Sequence, residues 1–271
     1  MPRITGVEFH RFSAKHHNAS RNWLLLKLLT DQPGLHGLGD ASPMENDAEV
    51  EAIIRGWVPR YLAGKDPLDS EVIWTQLYQD VQARGGRLAT TALSGVDIAV
   101  WDLKGKILGQ PVYRLLGGAQ RKRIRVYANG WYTNPGTAEQ NGEEAKKVVA
   151  MGYTAMKFDP FGQNNYYTIS LAEAQLAEDR VAAVRQAVGP EVDILVEAHA
   201  KFNVATAVQL GKRLEKYRPL FYEEPTSPEN IAEMAEVRRR VDIPIATGER
   251  LYTKFPFMQL LEAQAADVFQ P

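Results

Sequence analysis

The second half of the chain repeats one pattern, and that pattern restricts the possible folds more than any other feature. From Arg125 onward, short apolar segments alternate with amphipathic helical segments. Such alternation is typical of parallel strands joined by crossover helices. We predict strands over 125–129, 153–158, 192–197, 219–223, 243–247 and 267–270, and helices over 171–188, 204–217 and 228–240. A (β/α) barrel and an open doubly wound sheet both fit, but no strand precedes a Gly-x-Gly-x-x-Gly or Walker A loop, which disfavours a nucleotide-binding sheet.

The first part of the chain follows a different pattern. Residues 4–12 and 22–30 have strand-like apolar patterns, and the stretch from 47 to 116 has apolar residues at helical spacing. We interpret Gly34, Gly37 and Gly39 as turn glycines, because their spacing fits no phosphate-binding loop. We therefore predict a small α+β domain over residues 1–122, followed by an α/β domain over residues 123–271.

Composition excludes several classes of function. The formal net charge of −1 gives no electrostatic reason to expect nucleic acid or an anionic membrane as a partner. The absence of cysteine excludes disulfides, thiolate nucleophiles and cysteine metal sites. The longest apolar run, 23–29, is interrupted by Lys27 and is too short to span a bilayer. The N-terminus has no secretory-signal core, so we expect a soluble cytoplasmic protein.

Three glutamates end three successive predicted strands in the same phase. Glu197, Glu223 and Glu249 lie 26 residues apart (197 to 223, and 223 to 249), which is one βα unit each. In a barrel the carboxyl ends of the strands meet at one mouth, where active sites lie. Three carboxylates would repel each other there unless a cation neutralised them, and oxygen ligands suit Mg²⁺ or Mn²⁺. The alternative is three separate strand-end acids, each solvated or paired with a basic side chain.

Two further side chains are candidates for chemistry at the same mouth. His199 stands two residues beyond Glu197, so in an extended segment both point the same way, and the histidine could act as general acid or base. Lys157 ends the second predicted strand and could bind a substrate carboxylate or stabilise a developing enolate. A structural histidine and an outward-facing lysine are the alternatives.

Taken together, the motifs resemble the enolase superfamily, in its mandelate racemase-like branch. The resemblance rests on the helix 92–102 (ALSGVDIAVWD), on 109–113 (GQPVY), on Glu223-Glu224-Pro225 and on Gly248-Glu249-Arg250. It implies an α/β protein with an N-terminal α+β capping domain and a modified (β/α)₇β barrel of the TIM type. It also implies one Mg²⁺ held by the residues that match Glu197, Glu223 and Glu249, and a homo-oligomer.

Within that branch, segments 218–225 and 245–251 are most similar to galactonate dehydratase-type acid-sugar dehydratases. In that group a histidine matching His199 is the general acid. The Lys-x-Lys pair of racemases and cycloisomerases is broken, because Lys157 matches the first lysine but Asp159 replaces the second. The family would continue beyond residue 271 with the residues that abstract the α-proton, so we expect the barrel to be incomplete and the chain to be part of a longer protein.

The resemblance implies Mg²⁺-dependent dehydration of an aldonate, of the galactonate type, to a 2-keto-3-deoxy acid through an enediolate. Candidate substrate contacts are Lys157, Asp159, Asn129 after the first barrel strand, and His17 in a capping-domain loop. The alternatives for His17 and Asn129 are a polar connection and packing at the barrel rim. A racemase or epimerase on the same scaffold and a catalytically silent sugar-acid-binding protein remain rival hypotheses.

Overall fold

The computed structural model describes residues 1–16, 19–43, 45–84, 86–134, 136–162 and 166–271. These residues form two compact units, Met1–Arg123 and Ile124–Pro271. No helix within the described ranges is long and apolar enough to cross a membrane.

The first unit combines a three-stranded antiparallel sheet with helices. The strands β1 (Ile4–His16), β2 (Ala19–Thr30) and β3 (His36–Asp40) lie side by side in chain order. The helices are α1 (Asp47–Trp57), which continues into a π-helical turn over Val58–Leu62, α2 (Ser70–Arg84), α3 (Gly86–Leu108) and α4 (Val112–Leu115). The predicted strands and the predicted helical region are confirmed, and β3 is an additional strand.

One face of β2 packs in the core of this unit. Leu24, Leu26 and Leu28 alternate along the strand and are fully buried, as expected for a sheet with one covered face. They belong to one apolar cluster with residues of α1 and α3, including Ile54, Trp57, Val96 and Val100.

The interpretation of three glycines as turn residues is correct for one of them only. Gly34 has a φ of 83° and lies in the turn before β3. Gly37 and Gly39 lie within β3, where an added Cβ would stand 2.0 Å from the carbonyl oxygens of Ala99 and Gly95, respectively. The turn interpretation of these two is wrong because β3 packs directly on the backbone of α3, which leaves no room for a side chain.

The second unit is a parallel sheet with crossover helices. Its strands are β4 (Ala155–Phe158), β5 (Asp193–Glu197), β6 (Phe221–Glu223), β7 (Ile245–Thr247) and β8 (Val268–Phe269), paired in chain order. The helices are α5 (Ala138–Ala150), α6 (Leu171–Val188), α7 (Val204–Leu214), α8 (Ile231–Arg240) and α9 (Lys254–Glu262). The α/β prediction is confirmed. In the described part of the chain the sheet stays open rather than closing into a full barrel.

Side-chain caps define where several of these helices begin. Ser170 and Glu173 form a reciprocal capping box at the start of α6, which matches its predicted limits. Asn230 accepts a hydrogen bond from the amide of Ala232, so α8 begins at Ile231 rather than at the predicted residue 228.

The predicted strand over 125–129 is wrong. The segment makes a single bridge, in which the Ala128 amide donates to Ala155 and the Lys157 amide donates to Ala128, at 2.9 and 2.8 Å. Val126 is 63% exposed, so the apolar residues that suggested a strand do not pack as one. The Arg125 guanidinium also donates to the Thr154 carbonyl at 2.7 Å, next to the start of β4.

The two faces of the parallel sheet carry different kinds of side chain. One face carries Met156, Ile194, Val196, Tyr222 and Ile245, which belong to the large core shared with the helices. The other carries a small apolar cluster of Ala155, Leu195, Phe221 and Ala246. Because side chains alternate along a strand, the residues two positions beyond Ala155, Leu195 and Phe221 lie on this second face. Those residues are Lys157, Glu197 and Glu223.

The close approach of β3 to α3 generates a prediction. Gly39→Ala places a methyl group against the Gly95 carbonyl, so we expect a loss of about 2–4 kcal/mol in the free energy of unfolding. Gly6→Ala, in the same sheet, is the control, because an added Cβ there meets no atom within 4 Å. Urea denaturation followed by circular dichroism measures both, and equal stabilities of the two variants would contradict the packing explanation.

Candidate active site

Three carboxylates meet at the carboxyl ends of the parallel strands. Glu197 ends β5, Glu223 ends β6, and the two are direct neighbours in the strand register. Glu249 follows β7 by two residues. One oxygen of each carboxylate lies within 4.8 Å of the others, with Glu197 and Glu223 buried and Glu249 exposed.

Lys157 is bonded directly to two of these carboxylates. Its Nζ donates to Glu197 Oε2 and to Glu223 Oε1, both at 2.8 Å. Burial alone would lower the pKa of Lys157, but the charges and hydrogen bonds of Glu197 and Glu223 outweigh it and raise that pKa. The lysine is therefore an ammonium, and two of its three protons are used within the cluster.

Two buried carboxyl groups of the cluster, Glu223 and Glu224, have raised pKa values. Burial, and then the charge of Glu197, raise the pKa of Glu223 to about 7. Among the described residues, the buried Oε2 of Glu223 has no hydrogen-bond partner. Glu224 next to it is also buried and has its pKa raised to about 7, mainly by burial, although it accepts a 2.8 Å hydrogen bond from Arg250 Nε.

The cluster fits a divalent cation on two counts. With all four ionised, the carboxyl groups of Glu197, Glu223, Glu224 and Glu249 would carry two more negative charges than Lys157 and Arg250 neutralise. The unpartnered oxygen of Glu223 adds a buried acceptor without a donor. An all-carboxylate set of ligand atoms is the type that binds Mg²⁺ or Mn²⁺.

His199 lies beside the carboxylates, but in a different conformation from the extended one assumed above. Its φ is 49°, in the left-handed region, so the argument from alternating extended residues is wrong. The chain turns at His199 and Ala200 instead. The turn places the His199 amide 2.8 Å from Glu197 Oε1, to which it donates.

The His199 ring is held by Asp159. Nδ1 lies 2.7 Å from Asp159 Oδ2, and the imidazole is 41% exposed. Burial lowers the pKa of His199, but the hydrogen bond to Asp159 and the charge of Glu197 outweigh it, so the net effect is a raised pKa. Nε2 has no partner among the described residues and is the nitrogen available to a ligand.

The Asn129 side chain is bonded to its neighbour in the chain rather than to these groups. Asn129 is exposed, and its Oδ1 accepts a 2.8 Å hydrogen bond from the amide of Gly130. His17 lies outside the described residues.

Sequence reasoning missed three residues of the cluster: Lys201, Glu224 and Arg250. Lys201 is buried and its ammonium bonds Asp159. Its two-residue spacing from His199 is no guide to its position, because the chain turns at His199 and Ala200. Glu224 and Arg250 are also 26 residues apart, and each directly follows a metal candidate, Glu223 or Glu249.

Comparison with known proteins places these features in a family. Residues 10–117 match the N-terminal domain of mandelate racemase / muconate lactonizing enzyme, and residues 140–271 match the enolase C-terminal domain-like family. A crystal structure of an enolase superfamily member from Salmonella Typhimurium has a TM-score of 0.89 at 32% identity, covering 100% of this chain and 74% of that one.

Two curated relatives are similar over most of this chain. The D-gluconate dehydratase of Thermoproteus tenax is 42% identical over 249 residues, covering 92% of this chain and 50% of that protein. The D-gluconate/D-galactonate dehydratase of Picrophilus torridus is 34% identical over 273 aligned positions, covering 100% of this chain and 69% of that protein. The chain thus spans about half of the first relative and about two thirds of the second. It belongs to the mandelate racemase/muconate lactonizing enzyme family of the enolase superfamily.

Proposed function

We propose that this protein is a Mg²⁺-dependent acid-sugar dehydratase that converts D-gluconate or D-galactonate to the 2-keto-3-deoxy acid. One observation carries the proposal: a histidine with a free Nε2 stands beside a three-carboxylate cluster at the ends of parallel strands. The similarity to proteins named D-gluconate dehydratase and D-gluconate/D-galactonate dehydratase supports the reaction and the substrate class.

In this proposal Glu197, Glu223 and Glu249 hold the metal. Mg²⁺, when bound, supplies positive charge where negative charge develops as the proton next to the substrate carboxylate is removed. The glutamates keep their orientation through the protein itself. Glu197 accepts from the His199 amide and from Lys157, and Glu223 accepts from Lys157.

Lys157 is suited to bind the substrate carboxylate. Its raised pKa keeps it protonated, which makes it a poor general base but a good partner for an anion. Its third ammonium proton is not used by the two glutamates and can be donated to a carboxylate oxygen.

His199 is suited to act as the general acid. With Nδ1 bonded to Asp159, Nε2 is the atom that can deliver a proton to the departing 3-hydroxyl. Asp159 stands where a racemase of this family would have its second lysine, and it is already bonded to His199 and Lys201. This arrangement favours dehydration over racemisation, since an acid for a leaving group is present and the second lysine is not.

The role of His199 is tested by His199→Asn in the full-length gene product. We expect the kcat for 2-keto acid formation from D-gluconate or D-galactonate to fall by about 10²–10⁴, because the leaving hydroxyl loses its proton donor. Semicarbazide absorbance measures the product. His10→Asn is the control, since His10 is an exposed residue of β1. No keto product from the parent with either sugar, or full activity in His199→Asn, would contradict the proposal.

The metal assignment is tested by Glu223→Gln with Mg²⁺ alone. We expect the affinity to fall by more than the roughly 10–100-fold that is typical of losing an outer partner, because a ligand charge is removed. Isothermal titration calorimetry measures the affinity. The control is Glu191→Gln, an exposed carboxylate near the opposite, amino end of β5. Equal Mg²⁺ affinities in the two variants would exclude Glu223 as a ligand.

A further inference from the structure

We propose that Asp159 is a positioning residue, which together with Lys201 orients His199 so that the transferred proton leaves from Nε2. The inference rests on the proposed dehydratase function and goes beyond it. It also revises the expectation that Asp159 contacts substrate, because the carboxylate of Asp159 is fully engaged by the protein.

Three donors surround the Asp159 carboxylate. Oδ2 accepts from His199 Nδ1 at 2.7 Å and from the Lys201 ammonium, and Oδ1 accepts from the Phe161 amide at 2.9 Å. The Asp159 side chain has no exposed surface. A substrate hydroxyl would have to displace one of these donors, which would leave a buried polar group unpaired at considerable cost.

Lys201 holds the Asp159 carboxylate in place through a buried ion pair. Its side chain is 7% exposed, and Asp159 is its ion-pair partner. Because both side chains are buried, this pair keeps Asp159 Oδ2 directed at His199 Nδ1 as well as at Lys201.

The role of Asp159 as a hydrogen-bond acceptor determines which nitrogen of His199 loses its proton. A carboxylate can only accept hydrogen bonds, so Nδ1 must keep its proton while the bond to Asp159 lasts. The proton given up by the imidazolium then leaves from Nε2. The bond from the His199 amide to Glu197 fixes the backbone of the same residue, so both ends of His199 are held.

Two bonds to the substrate carbons break in the dehydration, one at C2 and one at C3. A general base takes the proton from C2 to give the enediolate, whose electrons then form the C2–C3 double bond. The C3–O bond breaks with its electron pair on oxygen, which receives the Nε2 proton and leaves as water. His199 remains as the neutral ring with hydrogen on Nδ1, still bonded to Asp159, and the enol tautomerises to the 2-keto acid.

A change of leaving group tests this inference. Fluoride departs without a proton, so a 3-deoxy-3-fluoro analogue of the substrate bypasses the acid. We expect Asp159→Asn to lower the kcat on the natural sugar acid by about 10–100-fold, with KM changed by less than about threefold. Fluoride release from the analogue, followed with a fluoride electrode, should stay within about threefold of the parent, and His199→Asn should show the same pattern.

Two further variants make the result decisive. Asp159→Asn leaves Lys201 buried without its partner, so the double variant Asp159→Asn/Lys201→Gln is measured in parallel in case the single variant does not fold. Asp193→Asn is the control. That residue pairs with Arg125 at the amino end of β5, and its loss should alter neither reaction.

Different results would overturn the dehydratase function and the positioning role of Asp159. If the parent neither forms keto product nor releases fluoride, the dehydratase function fails. If the parent is active and His199→Asn releases fluoride from the analogue at close to the parent rate, the assignment of His199 as general acid is supported. The positioning role of Asp159 is then overturned either by parent-like activity of the folded Asp159 variants on the natural substrate or by equal losses on both substrates.

Discussion

Negative charge crowded at the ends of parallel strands is the constraint around which the second unit is arranged. Adjacent strands in register bring Glu197 and Glu223 side by side in a buried position, where their charges disfavour each other. Lys157 compensates part of this charge through two hydrogen bonds, and Arg250 compensates another part through Glu224. The remaining excess is the charge that a divalent cation would neutralise in the proposed function.

The scaffold tolerates this crowding because the two faces of the sheet are used differently. The helix-covered face supplies the apolar core, with residues such as Val196 and Tyr222 fully buried. The opposite face carries only a small apolar cluster and, above it, the charged residues. Burial on the first face stabilises the fold, while the second face holds charges in fixed places. Preorganised charges of this kind are what a reaction through a carbanion-like transition state requires.

How much the sequence could predict depends on the range of the interactions involved. Equal 26-residue spacing predicted that three glutamates would meet, because strand ends in a parallel sheet share one edge, and their oxygens do lie within 4.8 Å. The neighbourhood of His199 was expected for the wrong reason, since a left-handed turn rather than an extended segment places it there. The roles of Gly39 and Lys201 depend on contacts with α3 and with Asp159, distant in sequence, which no local pattern reveals.

Proton NMR in D₂O shows whether the protein removes water from an acid sugar, as proposed. The full-length protein is incubated with Mg²⁺ and with D-gluconate or D-galactonate. We expect loss of the C2 proton signal together with formation of a 2-keto-3-deoxy acid that carries one deuterium at C3, because the enol takes its new proton from solvent. Exchange at C2 without any keto product would contradict dehydration and indicate an epimerase. An unchanged spectrum with both sugars would exclude the proposed dehydration of D-gluconate and D-galactonate.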